Sequence, residues 1–144
     1  MTEALHVVCP ACDGVNRLPA ARLADDPKCG QCRTPLFTGE PVALSEARFA
    51  KHAARSDIPL VVDFWAAWCG PCRTFAPTFK AAAARHEPRA RFIKIDVDAA
   101  PGLSRQYNVS SIPTLAVFKG GKIADRVAGA LPGQQFEAWL TARI

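Results

Sequence analysis

Six cysteines in three identically spaced pairs constrain this chain more than any other feature. Cys9 and Cys12, Cys29 and Cys32, and Cys69 and Cys72 all follow the pattern C-x-x-C. Two thiols three residues apart converge on one point, so each pair can close a disulfide or supply half of a metal site. In a secreted chain six cysteines would suggest a disulfide framework. The N-terminal stretch MTEALHVVCPAC lacks a basic segment followed by a long apolar run, the pattern of an export signal. The expectation is therefore a cytoplasmic protein in a reducing compartment, where paired cysteines serve as metal ligands or redox catalysts.

The first two pairs read CPAC and CGQC, with 16 residues between Cys12 and Cys29. That is the spacing of a structural zinc site: two tight turns, each aiming two sulfurs at a shared tetrahedral centre. Gly30 is expected to supply the backbone freedom of its turn. A segment of about 40 residues has too small a core to fold unaided, so a metal staple is physically reasonable. With Cys9, Cys12, Cys29 and Cys32 all as ligands, no coordination position stays open, and the one Zn2+ is structural. Two redox disulfides, or iron in place of zinc, are the alternatives. His6 reads as a surface histidine, since four cysteines already complete the set.

The third pair sits in a different context, LVVDFWAAWCGPCRTFAP. The run from Leu60 to Trp68 is β-branched and aromatic, apolar except for Asp63, and reads as a buried central strand. Gly70 and Pro71 then open a helix, proline being tolerated in its first turn. Cys69 falls at the junction, facing unpaired backbone N–H groups and the positive end of the helix dipole. Such a setting stabilises a thiolate. Cys72, one turn inside, is expected to be the more buried. An exposed acidic thiol beside a protected one is the layout for dithiol–disulfide exchange.

WCGPC, followed in order by FIKIDVD, SIPTLAVFKGGK and VAGA, resembles the thioredoxin family over residues 41–144. The four-cysteine segment in front is similar to the N-terminal extension of zinc-bearing long thioredoxins. The resemblance implies a protein-disulfide reductase that acts on disulfide-containing client proteins and is recycled by an NADPH-dependent thioredoxin reductase. It casts Cys69 as the attacking and Cys72 as the resolving cysteine. It makes Pro113 a cis proline facing the active site, with Ile112 placed to pair with an extended substrate segment. It puts Asp63 behind Cys72 with Lys94 nearby, Trp68 beside the reactive sulfur, and Gly129 in the substrate groove. Gly70 and Pro71 between the cysteines imply the reducing end of the family's range. Ala67 departs from the charged residue or proline common in relatives.

The residues themselves support the role of Asp63. A carboxylate inside an apolar strand is driven towards its neutral form and can carry a proton to or from a neighbour. The alternative is a carboxylate at a polar edge that merely caps something. Strand alternation puts Lys94 on the face of Phe92, opposite Ile93 and Ile95, yet an exposed strand lysine fits equally well. Phe64 and Trp65 read as core, and Phe136, Trp139 and Leu140 as one apolar stripe. His52 and His86 are expected to face solvent.

The expected architecture is an α/β thioredoxin fold, a mixed central sheet flanked by helices, preceded by the small zinc ribbon. Residues 1–40 form the ribbon domain and 41–144 the thioredoxin domain. Strands are expected near 41–44, 60–66, 91–96, 114–119 and 122–127, the last two joined at Gly120-Gly121. Helices are expected near 46–55, 70–87 (kinked at Pro77), 101–107 and 133–142. The charge is uneven: residues 1–40 hold four basic and five acidic side chains, the rest fourteen and eight. No dense basic run occurs, which argues against nucleic acid as a partner. No apolar stretch is long enough for a membrane span, and a monomer is expected. A rival reading makes the ribbon a partner-recognition module and the dithiol a sensor.

Overall fold

The computed structural model describes residues 3–144. Strands β1 (Ala4–Val8) and β2 (Val15–Pro19) pair antiparallel, and a 3-10 turn follows at Ala20–Arg22. The remaining strands are β3 (Val42–Ala43), β4 (Leu60–Trp65), β5 (Arg91–Asp96), β6 (Thr114–Lys119) and β7 (Lys122–Ala128). They form one mixed sheet in the order β3-β5-β4-β6-β7. The helices are α1 (Glu46–Arg55), α2 (Gly70–His86), α3 (Pro101–Gln106) and α4 (Gly133–Thr141).

Strand alternation sorts the apolar side chains onto two faces. Val62, Phe64, Ile93, Ile95, Ala116 and Phe118 pack against Phe49 of α1 and Leu103 of α3. Val61, Phe92, Leu115 and Val117 pack against Phe75 and Phe79 of α2 and Phe136 and Leu140 of α4. Edge-to-face aromatic contacts lock each layer: Phe49 to Phe118 at 5.2 Å between ring centroids, and Phe75 to Phe136 at 5.0 Å. Helix α2 runs unbroken through Pro77, which forgoes one backbone hydrogen bond. Ser45 caps α1 by accepting the Arg48 amide at 3.3 Å. The β6–β7 turn places both glycines at positive φ, 60° for Gly120 and 81° for Gly121, where other residues would be strained.

The N-terminal segment is clamped to this sheet through its first cysteine turn. Arg48 of α1 grips the Asp13 carboxylate with two bonds, 2.8 and 2.9 Å, and donates to the Pro10 carbonyl at 2.7 Å. His52 Nε2 lies 3.0 Å from the same carboxylate. Arg91, at the start of β5, donates to the Val8 carbonyl at 3.2 Å and lies over the Phe37 ring. Its charge is balanced by Glu87, 3.6 Å away and equally buried, whose other oxygen accepts the Gly39 amide at 3.0 Å. His6 and Asp57 add a reciprocal pair: the His6 amide donates to Asp57 Oδ2 at 2.7 Å, and the Asp57 amide donates to the His6 carbonyl at 2.9 Å.

Two expectations need correction here. His52 and His86 are buried, 1% and 3% exposed. His52 lies under the Asp13 clamp. His86 is held by Glu137 at 2.5 Å and stacks on Phe92. Helical periodicity carried the signal: Phe49-His52-Ala53 and Phe79-Ala82-Ala83-His86 are both i, i+3 or i+4 series on inward faces. His6, expected at the surface, is about half exposed but fixed by Asp57.

The clamp generates a stability prediction. Arg48→Ala removes a bidentate, partly buried partner from Asp13 and should cost about 2 kcal/mol. Urea unfolding of the zinc-loaded protein checks it. A midpoint unchanged from wild type would mean the clamp is not holding.

Candidate functional site

Two cysteine clusters stand apart in the structure. The first is built from two turns of the same design. In each, the first cysteine's amide donates to a carbonyl five residues on, Cys9 to Gly14 and Cys29 to Thr34. In each, the residue after the second cysteine is left-handed, Asp13 at φ 63° and Arg33 at φ 68°. The conformational demand thus falls there and not on Gly30, whose φ is ordinary and whose amide bonds to Asn16 Oδ1 at 2.8 Å.

The four sulfurs lie within 4.8 Å of one another. Cys9 and Cys32 sulfurs are 3.7 Å apart, and Cys12 and Cys29 sulfurs 3.6 Å. A zinc tetrahedron with bonds near 2.3 Å has edges of about 3.8 Å, so these spacings fit the ion. Backbone amides of Ala11 and Cys12 point at Cys9 Sγ, that of Gly14 at Cys12 Sγ, and that of Gln31 at Cys29 Sγ. The Cys32 amide, the Asn16 side chain and the Gln31 amide draw the Cys29 thiol down to about 6. The Gly14 amide favours the Cys12 thiolate too, but desolvation and the three other sulfurs outweigh it and push that thiol up to about 12. Four sulfurs this close cannot all ionise without a cation among them.

The second cluster lies where β4 ends. Cys69 is the N-cap residue of α2, and its sulfur accepts the Cys72 amide at 3.2 Å. The two cysteines are joined as a disulfide with Cα atoms 5.2 Å apart. In this oxidised form both are buried, 5% and 2% exposed, as Val97 and Ile112 pack beside them. The expected contrast between an open and a covered thiol is therefore small in the disulfide state. The exposed group is Trp68, 68% accessible, with its indole N–H held by Asp98 at 2.8 Å.

Of the other residues singled out from the sequence, Ile112 packs directly beside this disulfide. The Ile112–Pro113 bond is cis, and the Ile112 carbonyl lies 3.8 Å from Cys69 Sγ. Gly129 sits at φ 105°, its amide donating to the Pro113 carbonyl at 2.7 Å, and space is open where a Cβ would project. Gly70 likewise has no neighbour at its Cβ position, and Pro71 occupies the first turn of α2. Asp63 and Lys94 are register partners on β4 and β5, on the face covered by α2. The Lys94 ammonium lies 4.2 Å above the Trp65 ring and half-buried, so it is not a free surface lysine.

Asp63 is fully buried, and neither carboxylate oxygen has a hydrogen-bond partner. Burial raises its pKa to about 7, with Lys94 pulling weakly the other way. The folded state thus keeps this proton to higher pH than the unfolded chain does. Stability is greatest below the unfolded value near 4 and declines as pH climbs to about 7. Asp63→Asn, neutral throughout, should match wild type closely at pH 4 and exceed it by roughly 4 kcal/mol at pH 8. Denaturant unfolding at the two pH values measures this; equal gains at both would show that charge burial is not the cause.

Comparison with known proteins completes the description. Residues 40–142 match the family model described as Thioredoxin, and residues 8–34 match the one described as Thioredoxin 2, N-terminal. Thioredoxin C-3 of Corynebacterium nephridii is 41% identical over 138 residues, spanning 96% of this chain and 94% of that protein. Thioredoxin of Porphyra purpurea is 40% identical over 101 residues, 70% of this chain and 94% of its own length. Thioredoxin 1 of a Nostoc species is 43% identical over 89 residues, 62% of this chain and 83% of its own length.

Proposed function

The chain belongs to the thioredoxin family, and on that premise we propose how its residues divide the labour of protein-disulfide reduction. It is a thiol–disulfide oxidoreductase with an N-terminal ribbon whose four cysteines, Cys9, Cys12, Cys29 and Cys32, hold one zinc ion. With four thiolates the site is closed, so the metal supplies folding energy and no open position for chemistry. The observation that carries the assignment is the Cys69–Cys72 disulfide at the N-terminus of α2, one residue from an exposed tryptophan and against the Ile112 carbonyl.

In the reduced protein Cys69 is the nucleophile. The amides that open α2 and its dipole favour the thiolate there. This thiolate attacks one sulfur of a client disulfide; the client S–S bond breaks, a mixed disulfide forms, and the departing client sulfur takes a proton. Asp63 then accepts the proton of Cys72. The new Cys72 thiolate attacks Cys69 Sγ and expels the second client sulfur, which is protonated in turn. The client gains two electrons and two protons, and the chain is left as the disulfide seen in the structure. Asp63 suits proton transfer because its desolvated carboxyl titrates near neutrality. Lys94 acts through Asp63 as a positioning charge.

The client lies across Trp68, Gly70, Pro71, Ile112, Pro113 and Gly129. Open space at Gly70 and Gly129 and the position of Ile112 just before β6 favour an extended segment. Recycling of the disulfide requires two electrons, which an NADPH-dependent thioredoxin reductase would return. The domain boundary belongs at 40/41, where the segment leading from the ribbon enters β3. We infer a monomer that works in the reducing cytoplasm. Among the described residues no helix is long and apolar enough to cross a membrane.

Insulin reduction tests the assignment. Cys69→Ser should lower the rate at least about a thousandfold, since no thiolate remains to attack. Cys72→Ser should attack but fail to resolve, leaving a covalent adduct of protein plus client visible by intact mass. A Cys69→Ser protein of undiminished rate would overturn the reading.

A further inference from the structure

The two cysteine turns are copies in backbone but not in surroundings. Peptides of the first turn that serve its sulfurs are held on their far side by α1 and β5. The Ala11 amide points at Cys9 Sγ at 3.3 Å, and the carbonyl of that same peptide, Pro10, accepts from Arg48 at 2.7 Å. The Gly14 amide points at Cys12 Sγ at 3.4 Å. Asp13, the residue before it, is gripped through its carboxylate by Arg48 and His52. The peptide that enters Cys9 has its own carbonyl, that of Val8, on Arg91 at 3.2 Å.

The second turn lacks such anchors. Its outside bonds go to the ribbon itself: Asn16 of β2 accepts the Gly30 amide at 2.8 Å and donates to Cys29 Sγ at 3.5 Å. The buried Cys29 packs with Val7, Cys9 and Leu36, again within the ribbon. Lys28, Gly30, Gln31, Cys32 and Arg33 are exposed. Among the described residues, no hydrogen bond or ion pair joins the turn 28–33 to residues 41–144. The first turn is thus fixed to a sheet with a large core of its own, and the second rests on a two-stranded hairpin.

We propose that Arg48 is a positioning residue for zinc: it keeps the turn 9–13 formed in the absence of metal, and the turn 29–33 is the one that closes or opens as zinc is gained or lost. Ordering a metal site costs conformational entropy, so a half-site ordered in advance binds more tightly. Partners that orient ligands from outside the coordination sphere are worth about 10- to 100-fold in metal affinity. Zinc affinity is then set partly by α1, outside the segment that holds the four ligands. The coupling works in both directions, so a loaded site also tightens the grip of the ribbon on α1.

The test uses the full-length protein, kept reduced throughout, and zinc itself. Competition with a chromogenic chelator reads the affinity. Hydrogen exchange with mass spectrometry reads backbone order after the metal is removed. Arg48→Ala should weaken zinc binding at least about tenfold. Leu140→Ala, which opens a cavity in the core under α4, should leave the affinity within about twofold of wild type, separating a local hold from general stability. In the metal-free wild type, peptides spanning 9–14 should exchange at least about tenfold more slowly than those spanning 29–34. In metal-free Arg48→Ala the two should exchange alike. If Arg48→Ala does not fold, Arg48→Lys takes its place, since it keeps the charge but loses the two-pronged grip; about threefold weakening is then expected, and none would overturn the proposal. An affinity unmoved by Arg48→Ala, an equal loss in Leu140→Ala, or first-turn exchange as fast as that of the second in the metal-free wild type would overturn it too. No readout depends on disulfide reduction, so the catalytic assignment stands or falls separately.

Discussion

Strand β4 has parallel β5 on one side and antiparallel β6 on the other, and helices cover both of its faces. No edge of it meets water, so its sequence must be apolar and its register is fixed twice over. That double fixing determines where the chain emerges at Trp65 and therefore where the α2 N-terminus presents Cys69. The cis Ile112–Pro113 segment leads into β6, the other neighbour of β4, and so arrives at the same end. The redox site is a place where two adjacent strands deliver their connecting loops side by side.

The same burial explains the cost built into the site. Asp63 is surrounded by side chains that stabilise the sheet and offer it no hydrogen bond. An apolar residue there would fit the strand better. In the proposed mechanism the carboxyl is useful because the strand around it is dry: in water it would release its proton some three pH units lower and would be poorly matched to a thiol near neutrality. Lys94, leaning over Trp65, tempers the penalty without a direct contact that would pull the acid back to its ordinary range.

Much of this was legible in the sequence because the signals are local. The strand-to-helix junction, the proline in the first turn of α2, the Gly120-Gly121 turn and the twin C-x-x-C spacing each lie within a few residues. The clamp between the ribbon and the sheet was not legible. Its bonds join Asp13 to Arg48 and His52, Val8 to Arg91, and Gly39 to Glu87, partners 35 to 83 residues apart along the chain. No short-range pattern announces such pairs. A bias towards treating histidine as a surface residue also hid His52 and His86, although their helical spacing placed them inward. Gly30 misled for a related reason: glycine is permitted at positive φ but not obliged to adopt it, and the strain settled one step past each second cysteine.

That strain is unequally employed in the two turns. Asp13 tolerates a left-handed backbone and returns an adhesive contact to α1; a glycine there would relax the main chain but forfeit the bonds to Arg48 and His52. Arg33 occupies the equivalent step of the other turn with its side chain in solvent. Evolutionary drift, or an engineer, has latitude at the second position that the first forbids, even though the two backbones are copies of one another.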